Sequence, residues 1–461
     1  MKIQIQKLRS ALDLLEGLAK PKVTKVETAT KGKGRGGRKA KGNTTETTTW
    51  PILRNVLLKN GQAIATDLDM AVMVDMPEAV GEYLLPVKQV SSLLKSVPGT
   101  DDVEIEMKSG LVFLTWPDGA ASYPVERVDN FPVLPEIQPM IRHSVNADMV
   151  VPNLLSMLDY CYKVDDSKPI LSGVTLFLGE QLELAAGDGY RMAFKTLLVS
   201  LPPDNGIKTV TIPIKAVATL GHLWQKAPRP RPPNGDASLI SLVANKGPME
   251  VEISPILIKI RLGIVGLLAK TIQGTPPNFK QLMQTTGEKS TLQIYGPDLE
   301  RALRQLRVPT KLGLGAIRMS WEQGKMKLAI ETTDGKVETS IPVNPSDGSG
   351  RVAVRFTYLQ EYIQGKSGIV TMAITSSTAP VQFSHSQFPM VALMPMQVMW
   401  PDQIQAAAEA AAVAEASAIT EGQPAATAEA TTDPEEDKGE GEETETTEPE
   451  ENAALEVTPQ A

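Results

Sequence analysis

The feature that most restricts what this chain can become is that it repeats itself. Trp50-Pro51-Ile52-Leu53-Arg54-Asn55-Val56 returns as Lys168-Pro169-Ile170-Leu171-Ser172-Gly173-Val174, and Ala65-Thr66-Asp67 returns as Ala186-Gly187-Asp188, each after a strand-like run. Leu85-Pro86-Val87-Lys88-Gln89-Val90 returns as Ile212-Pro213-Ile214-Lys215-Ala216-Val217, each opening a helical pattern, because proline is tolerated in a helix's first turn and not inside it. Asp129-Asn130-Phe131-Pro132 is echoed by Pro277-Asn278-Phe279. Echoes in the same order imply duplicated domains. A third, fainter copy has a helix over 295–306, strands over 316–321 and 325–332, a second helix over 357–364, and strands at 369–375, 380–384 and 390–398. Each copy reads as helix, short alternating strands, helix, strands. That is an α+β plan with helices on one face of antiparallel sheet.

A length of 461 residues fits two to four domains of about 100 to 200 residues each. Two segments lack the apolar residues to build a core. Residues 402–461 are rich in Ala, Glu and Thr and are expected to be a disordered acidic tail. Residues 20–49, with nine Lys or Arg among Gly and Thr, are expected to be a mobile basic loop. A Pro-rich break occupies 227–235. The tail holds 17 carboxylates and one Lys, whereas residues 1–401 hold 45 Lys plus Arg against 37 Asp plus Glu. A net charge of −8 therefore conceals a basic body, for which nucleic acid is a permissible partner.

The helices repeat that message. Leu299, Leu303 and Leu306 share one side of a helix whose other side carries Arg301, Arg304 and Arg307. Val90, Leu94 and Val97 are expected to pack inward, with Lys88 and Lys95 outward. Repeated basic faces could jointly line a surface for phosphates, although an ordinary solvated face explains any one of them alone.

Enzymatic equipment is thin. His143, His222 and His385 lack metal-ligand spacing and read as surface or packing residues. The lone cysteine, Cys161, excludes an intrachain disulfide, has no nucleophile context, and suggests a reducing compartment. No phosphate-cradling loop, cofactor motif or metal site is legible, and no segment reads as a signal peptide or membrane span; a cytoplasmic protein is expected. Two rivals from other classes stay open: a nonspecific DNA-binding protein, and a metal-dependent nuclease using Asp67 and Asp69 or Asp165 and Asp166.

In their order, WPILRNVLL, ATDLDMA, PVKQVSSLLKSVP, NFPVLPEI, KPILSGVTLF, AAGDGYRMA, GTPPNFKQLM and the closing VALMPMQV resemble the beta sliding clamps of bacterial DNA polymerase III over residues 1–398. The resemblance implies three tandem clamp domains, at 1–138 with the basic insert, 139–288 with the Pro-rich insert and 289–400, before the tail of 401–461. It implies a head-to-tail homodimer closed into a ring, with antiparallel sheets outside and helices lining the hole. It further implies a processivity factor for DNA replication, not an enzyme, that slides on double-stranded DNA regardless of base sequence.

Partners of such clamps, among them the replicative polymerase subunit, the clamp loader and repair polymerases, insert a short peptide into an apolar pocket. Carried over motif by motif, that pocket comprises Leu171, Gly187, Gly189, Tyr190, Met192, Pro277, Leu282, Tyr358, Ala392, Met394, Pro395 and Met396. Flexible, polarizable methionines suit a groove that accepts several related peptides, although MPM could also complete a core and Gly189 could be a plain turn glycine. Where the family has Thr, His and a basic residue after MPM, this chain has Gly187, Tyr190 and Gln397, which alters the polar contacts available. The basic insert falls where the family carries a short DNA-facing turn. Lys20, Lys22, Lys25, Lys31, Lys33, Arg35, Arg38, Lys39 and Lys41 are accordingly expected to join Lys88, Lys95, Arg301, Arg304 and Arg307 in contacting DNA.

Overall fold

A computed structural model of the chain describes residues 1–19, 23–27, 44–48, 50–163, 167–226, 247–283, 290–307, 315–332, 335–345 and 348–421. The chain divides into two units, Met1–Val398 and Met399–Ala461. The first contains one plan three times, with a hairpin added in the first copy and a two-residue strand in the third: strand, helix, four strands, helix, three strands.

In the first copy these are β1 (Lys2–Gln4) and α1 (Ile5–Leu15), an inserted hairpin β2 (Val23–Glu27) and β3 (Thr44–Thr48), then β4 (Asn55–Lys59), β5 (Gln62–Thr66), β6 (Met70–Asp75) and β7 (Tyr83–Pro86). Helix α2 (Val87–Ser96) and strands β8 (Asp102–Lys108), β9 (Leu111–Trp116) and β10 (Gly119–Pro124) complete it. The second copy has β11 (Ile141–Asn146), α3 (Ala147–Met157), β12 (Gly173–Phe177), β13 (Leu182–Gly187), β14 (Arg191–Leu197) and β15 (Thr209–Pro213). It continues with α4 (Ile214–Lys226), β16 (Pro248–Ile253), β17 (Leu257–Leu262) and β18 (Val265–Lys270), and ends on the short helix α5 (Phe279–Met283). The third has β19 (Ser290–Tyr295), α6 (Gly296–Gln305), β20 (Ala316–Glu322), β21 (Lys325–Thr332), β22 (Gly335–Pro342), a two-residue β23 (Asn344–Pro345) and β24 (Gly350–Arg355). Helix α7 (Phe356–Ile363) and strands β25 (Ile369–Ile374), β26 (Val381–Ser384) and β27 (Met390–Leu393) close it.

Sequence dictates these elements locally. The strand–helix corners at Pro86 and Pro213 put proline just ahead of α2 and α4, where a missing N–H costs no intrahelical bond. Helix α3 is capped by the Asn146 side chain, which accepts the amide of Asp148 at 2.9 Å. The apolar stripes turn inward as expected, burying Val90, Leu94, Val97, Leu299, Leu303 and Leu306. In each copy the two helices pack as a pair. In the first, the Arg9 guanidinium of α1 donates to the carbonyls of Leu94 and Val97.

Successive copies fuse through their sheets, all antiparallel. Strand β18 of the second pairs with β6 of the first, giving an eight-stranded sheet ordered β11-β16-β17-β18-β6-β5-β4-β7. Strand β27 of the third pairs with β14 of the second, giving a nine-stranded sheet ordered β15-β12-β13-β14-β27-β26-β25-β19-β23. Two four-stranded sheets, β1-β8-β9-β10 and β22-β21-β20-β24, stay separate.

Three expectations need correction. The basic insert is not loop throughout: its flanks pair as a hairpin, with Val23 opposite Thr48 and Lys25 opposite Glu46, because VTKVE and TTETT are rich in β-branched residues. The tail is not irregular from its start, since Pro401–Glu421 is α8, whose many alanines carry the highest helix propensity. The third copy also holds β22 and β24, which the periodicity did not reveal; GKVETSIP in β22 is mostly exposed and has no apolar alternation. The Pro-rich 227–235 and residues 422–461 lie outside the described residues.

Candidate functional site

The repeated Asp67 and Asp188 build the same turn. Asp67 Oδ1 accepts the amides of Asp69 (3.1 Å) and Met70 (2.9 Å), and Asp188 Oδ1 those of Tyr190 (2.9 Å) and Arg191 (3.0 Å). The residue after each aspartate is left-handed: Leu68 at φ 78° and Gly189 at φ 95°. Each turn receives the end of the following copy's last strand. The amide of Lys270 bonds to Asp69 O at 3.0 Å, that of Met394 to Tyr190 O at 2.8 Å. Two residues on, Ile272 N bonds to Thr211 O (2.9 Å) and Met396 N to Ala353 O (2.8 Å). The two junctions thus share a backbone.

At the second junction an apolar surface gathers around Phe279. Its ring lies with Met283, Ala185, Phe194 and Ala392 in a small apolar cluster, flanked by Leu171, Phe177, Met192 and Met390. A Cβ on Gly187 would stand 3.2 Å from that ring and 3.3 Å from Arg191 O, which is why the position occupied by Thr66 in the first copy is glycine here. On the rim Tyr190 (60 %), Leu282 (49 %) and Met394 (42 %) stay exposed. Pro277, Tyr358, Pro395 and Met396 are half-buried.

A buried arginine ties this junction together. Arg191 bonds through Nε to Asp188 Oδ2 (3.1 Å), through its other nitrogens to Glu361 and to Asp159 O (2.8 Å), and lies against the rings of Tyr160 and Tyr358. Burial works against its charge, but Glu361 and Asp188 outweigh that and hold it protonated above its ordinary range. Its neighbours answer to the same burial: the Tyr160 phenol is pushed up, and the Cys161 thiol to about 12, which makes that thiol inert.

Residues 147–229 match the family model described as DNA polymerase III beta subunit, central domain. The beta sliding clamp of Chlamydia pneumoniae is 23% identical over 356 residues, 75% of this chain and 91% of that protein. The beta sliding clamp of Synechocystis sp. is 24% identical over 366 residues, 73% of this chain and 89% of that one. Among solved structures, the DNA polymerase sliding clamp of Pseudomonas aeruginosa shares the fold with a TM-score of 0.68, at 17% identity, covering 86% of this chain and 99% of that one. Over most of its length the chain is similar to the beta sliding clamps, and its residues 147–229 match their central domain.

Of the clamp residues expected at a partner pocket, Leu171, Gly187, Met192 and Ala392 meet around Phe279, and Tyr190 and Met394 meet through their backbone bond. Pro395 bridges to Val354, beside Tyr358's helix. Sequence reasoning missed Phe279, Met283 and Arg191. Phe279 stood in the NF echo and Arg191 inside AGDGYRM, so both were adjacent to residues singled out.

The DNA-facing expectations divide. Lys88, Lys95, Arg301, Arg304 and Arg307 are exposed on their helices or helix ends. Arg301 is paired with Asp298 at 2.8 Å and Arg304 with Glu300 at 3.5 Å, so part of their charge is answered locally. Lys25 lies in β2, and Lys20, Lys22, Lys31, Lys33, Arg35, Arg38, Lys39 and Lys41 lie outside the described residues. The nuclease alternative loses Asp67, which is used in its turn and by the Lys215 ammonium. Asp165 and Asp166 lie outside the described residues, and among those described no group of three or more His, Cys, Asp or Glu could hold a metal. His385 is held between Ser367 O (2.8 Å) and the amide of Gln387 (3.2 Å), as a packing residue. No described helix is long and apolar enough to cross a membrane.

Proposed function

We propose that two copies of this chain close head to tail around duplex DNA as the processivity clamp of DNA replication, holding the polymerase and other partners by peptides seated in the cleft around Phe279. The chain supplies no catalysis. One observation carries the closure. Twice the last strand of a copy pairs with the third sheet strand of the copy before it, β18 with β6 and β27 with β14. By the same rule β10 of the first copy and β22 of the third are left over, each at an edge of its sheet. Such edges present rows of unpaired N–H and C=O groups. A second chain satisfies both, β10 to β22 and β22 to β10, a heterologous contact that closes when the rotation per subunit is a half turn.

A ring grips by topology. Its contacts with phosphate can then stay weak and independent of base sequence, which permits sliding. Exposed cations on α2 and α6 suit that role, and the basic insert adds more; its contribution shows as a shallower dependence of DNA binding on salt when 24–46 are deleted. The cytoplasm, where replicating DNA lies, is the compartment this reading assigns. The acidic tail reads as a solubilising appendage that competes with DNA for the basic surface, so truncation after Pro401 is expected to tighten DNA association.

The decisive measurement loads the protein on nicked circular DNA and then linearises it. A clamp stays on circles through gel filtration and is lost once ends exist. Equal retention on linear DNA would leave an ordinary groove-binding protein.

A further inference from the structure

At the first junction the chain covers an apolar surface with a segment of its own. Along β6 and β18 alternate side chains, Val72, Val74 and Leu267, join the core under the helices, and those between them face the other way. On that outer face Ala71 stands opposite Leu268, the pair that corresponds through the repeat to Met192 and Ala392. Leu134 and Ile137 lie on Ala71, Leu257 and Leu268. Phe131, buried, anchors the segment's near end, while Val133 is 95 % exposed. Among the described residues, 132–139 make no hydrogen bond through backbone or side chain. The counterpart α5 is tied down, since Lys280 pairs with Glu183 at 2.8 Å and Gln382 donates to Met283 O at 2.5 Å. A groove of about 750 Å³ opens along the segment, lined on the sheet side by Leu57, Ile64, Met73 and Leu268. That volume lies in the range of ligand sites, roughly 300–1,000 Å³.

Side chains alone therefore hold this stretch. Pro132 and Pro135 keep it extended, as an extended peptide ligand would be. Its tether to the chain supplies an effective concentration on the order of millimolar, enough to exclude a competitor of similar affinity. We infer that the first junction is a second peptide-binding groove, filled at rest by the chain's own residues 132–137. The partner that fits is an extended peptide with two aliphatic side chains three residues apart, which displaces the segment and takes its place. This site is separate from the docking surface at the second junction and stands without it.

The test uses the full chain carrying Met394→Asp, so that the second junction takes no part, and fluorescein-labelled Asn-Phe-Pro-Val-Leu-Pro-Glu-Ile-Gln-Pro, the sequence of 130–139. Adding Leu134→Ser and Ile137→Ser removes the segment's two aliphatic anchors. The loosened chain is expected to bind one peptide per subunit, about tenfold tighter or more than the chain whose segment is intact. Met73→Asp, in the groove, should then abolish that binding. Leu134 and Ile137 are only half-buried, so unchanged thermal melting shows that the loosened chain is folded. If melting falls, the milder Leu134→Ala, Ile137→Ala pair is read in its place. Equal affinity in the intact and loosened chains overturns the inference, as does no binding to a folded loosened chain, or binding that survives Met73→Asp. None of these outcomes touches the docking reading, which is judged in the chain that keeps Met394.

Discussion

Where the first copy meets the second, Lys270 and Asp69 share the backbone bond and also an ion pair at 3.4 Å; where the second meets the third, the corresponding pair is Met394 and Tyr190. The chain after Phe131 runs back across the first junction, and Leu134 and Ile137 pack on Ala71, Leu257 and Leu268. After Phe279 the chain instead turns into α5, and Tyr190, Leu282 and Met394 remain exposed. Identical strand pairing therefore yields a polar-edged seam overlain by a chain segment in one place and exposed apolar side chains in the other. On the docking reading proposed above, side chains and cover set the difference between the junctions, while the backbone supplies only the frame.

The largest effect should come from making the second rim resemble the first in polarity. Met394→Asp places a carboxylate where a peptide's apolar side chains must desolvate it, and is expected to weaken peptide binding about a hundredfold, equivalent to roughly 3 kcal/mol. Fluorescence anisotropy with a labelled peptide reads this directly. Affinity equal to that of the natural chain would place docking elsewhere and end the contrast between the junctions.

Arg191 corresponds to Met70 in the repeat, and both are buried. Arg191→Ala leaves Asp188 and Tyr160 facing a void and is expected to cost about 3 kcal/mol in urea unfolding; Glu361, half exposed, recovers water, which keeps the loss below that of a fully buried pair. Arg191→Met imports the apolar solution of the first junction and should cost clearly less, about 1 to 2 kcal/mol. If Met proved as damaging as Ala, the ionic clasp would be supplying something that packing cannot replace.

Much of this was legible in the chain. The PIL, ATD and Pro-Val-Lys echoes located the strand pairs, the Asp turns and the second helix of two copies. Each echo keeps residues with a local mechanical role, whether an aspartate accepting two amides or a proline ahead of a helix. The third copy was blurred for the same reason. Its β22 is a mostly exposed edge strand whose GKVETSIP shows no alternation, so no burial pressure writes a period into it. At the cleft, resemblance named the rim but not Phe279 or Arg191, since a buried ring and a buried ion cluster depend on tertiary neighbours that spacing along a chain does not encode. Residues 402–421 misled by composition: charge and alanine argue against a core, yet alanine also favours a lone helix.

The smallest expected effect is the sharpest on cause. Asp69→Tyr with Lys270→Met rewrites the first junction's edge with the side chains of the second. The ion pair lost is exposed on both sides, 62 % and 58 %, so stability should move by less than about 1 kcal/mol, as a double-mutant cycle in urea would show. If cover governs docking, the doubly substituted chain still binds one peptide per subunit, because Leu134 and Ile137 keep their places over Ala71 and Leu268. Calorimetric titration reading two peptides per subunit would instead mean that the seam opens once its edge is apolar, and that the ion pair, not the overlying segment, is what closes it.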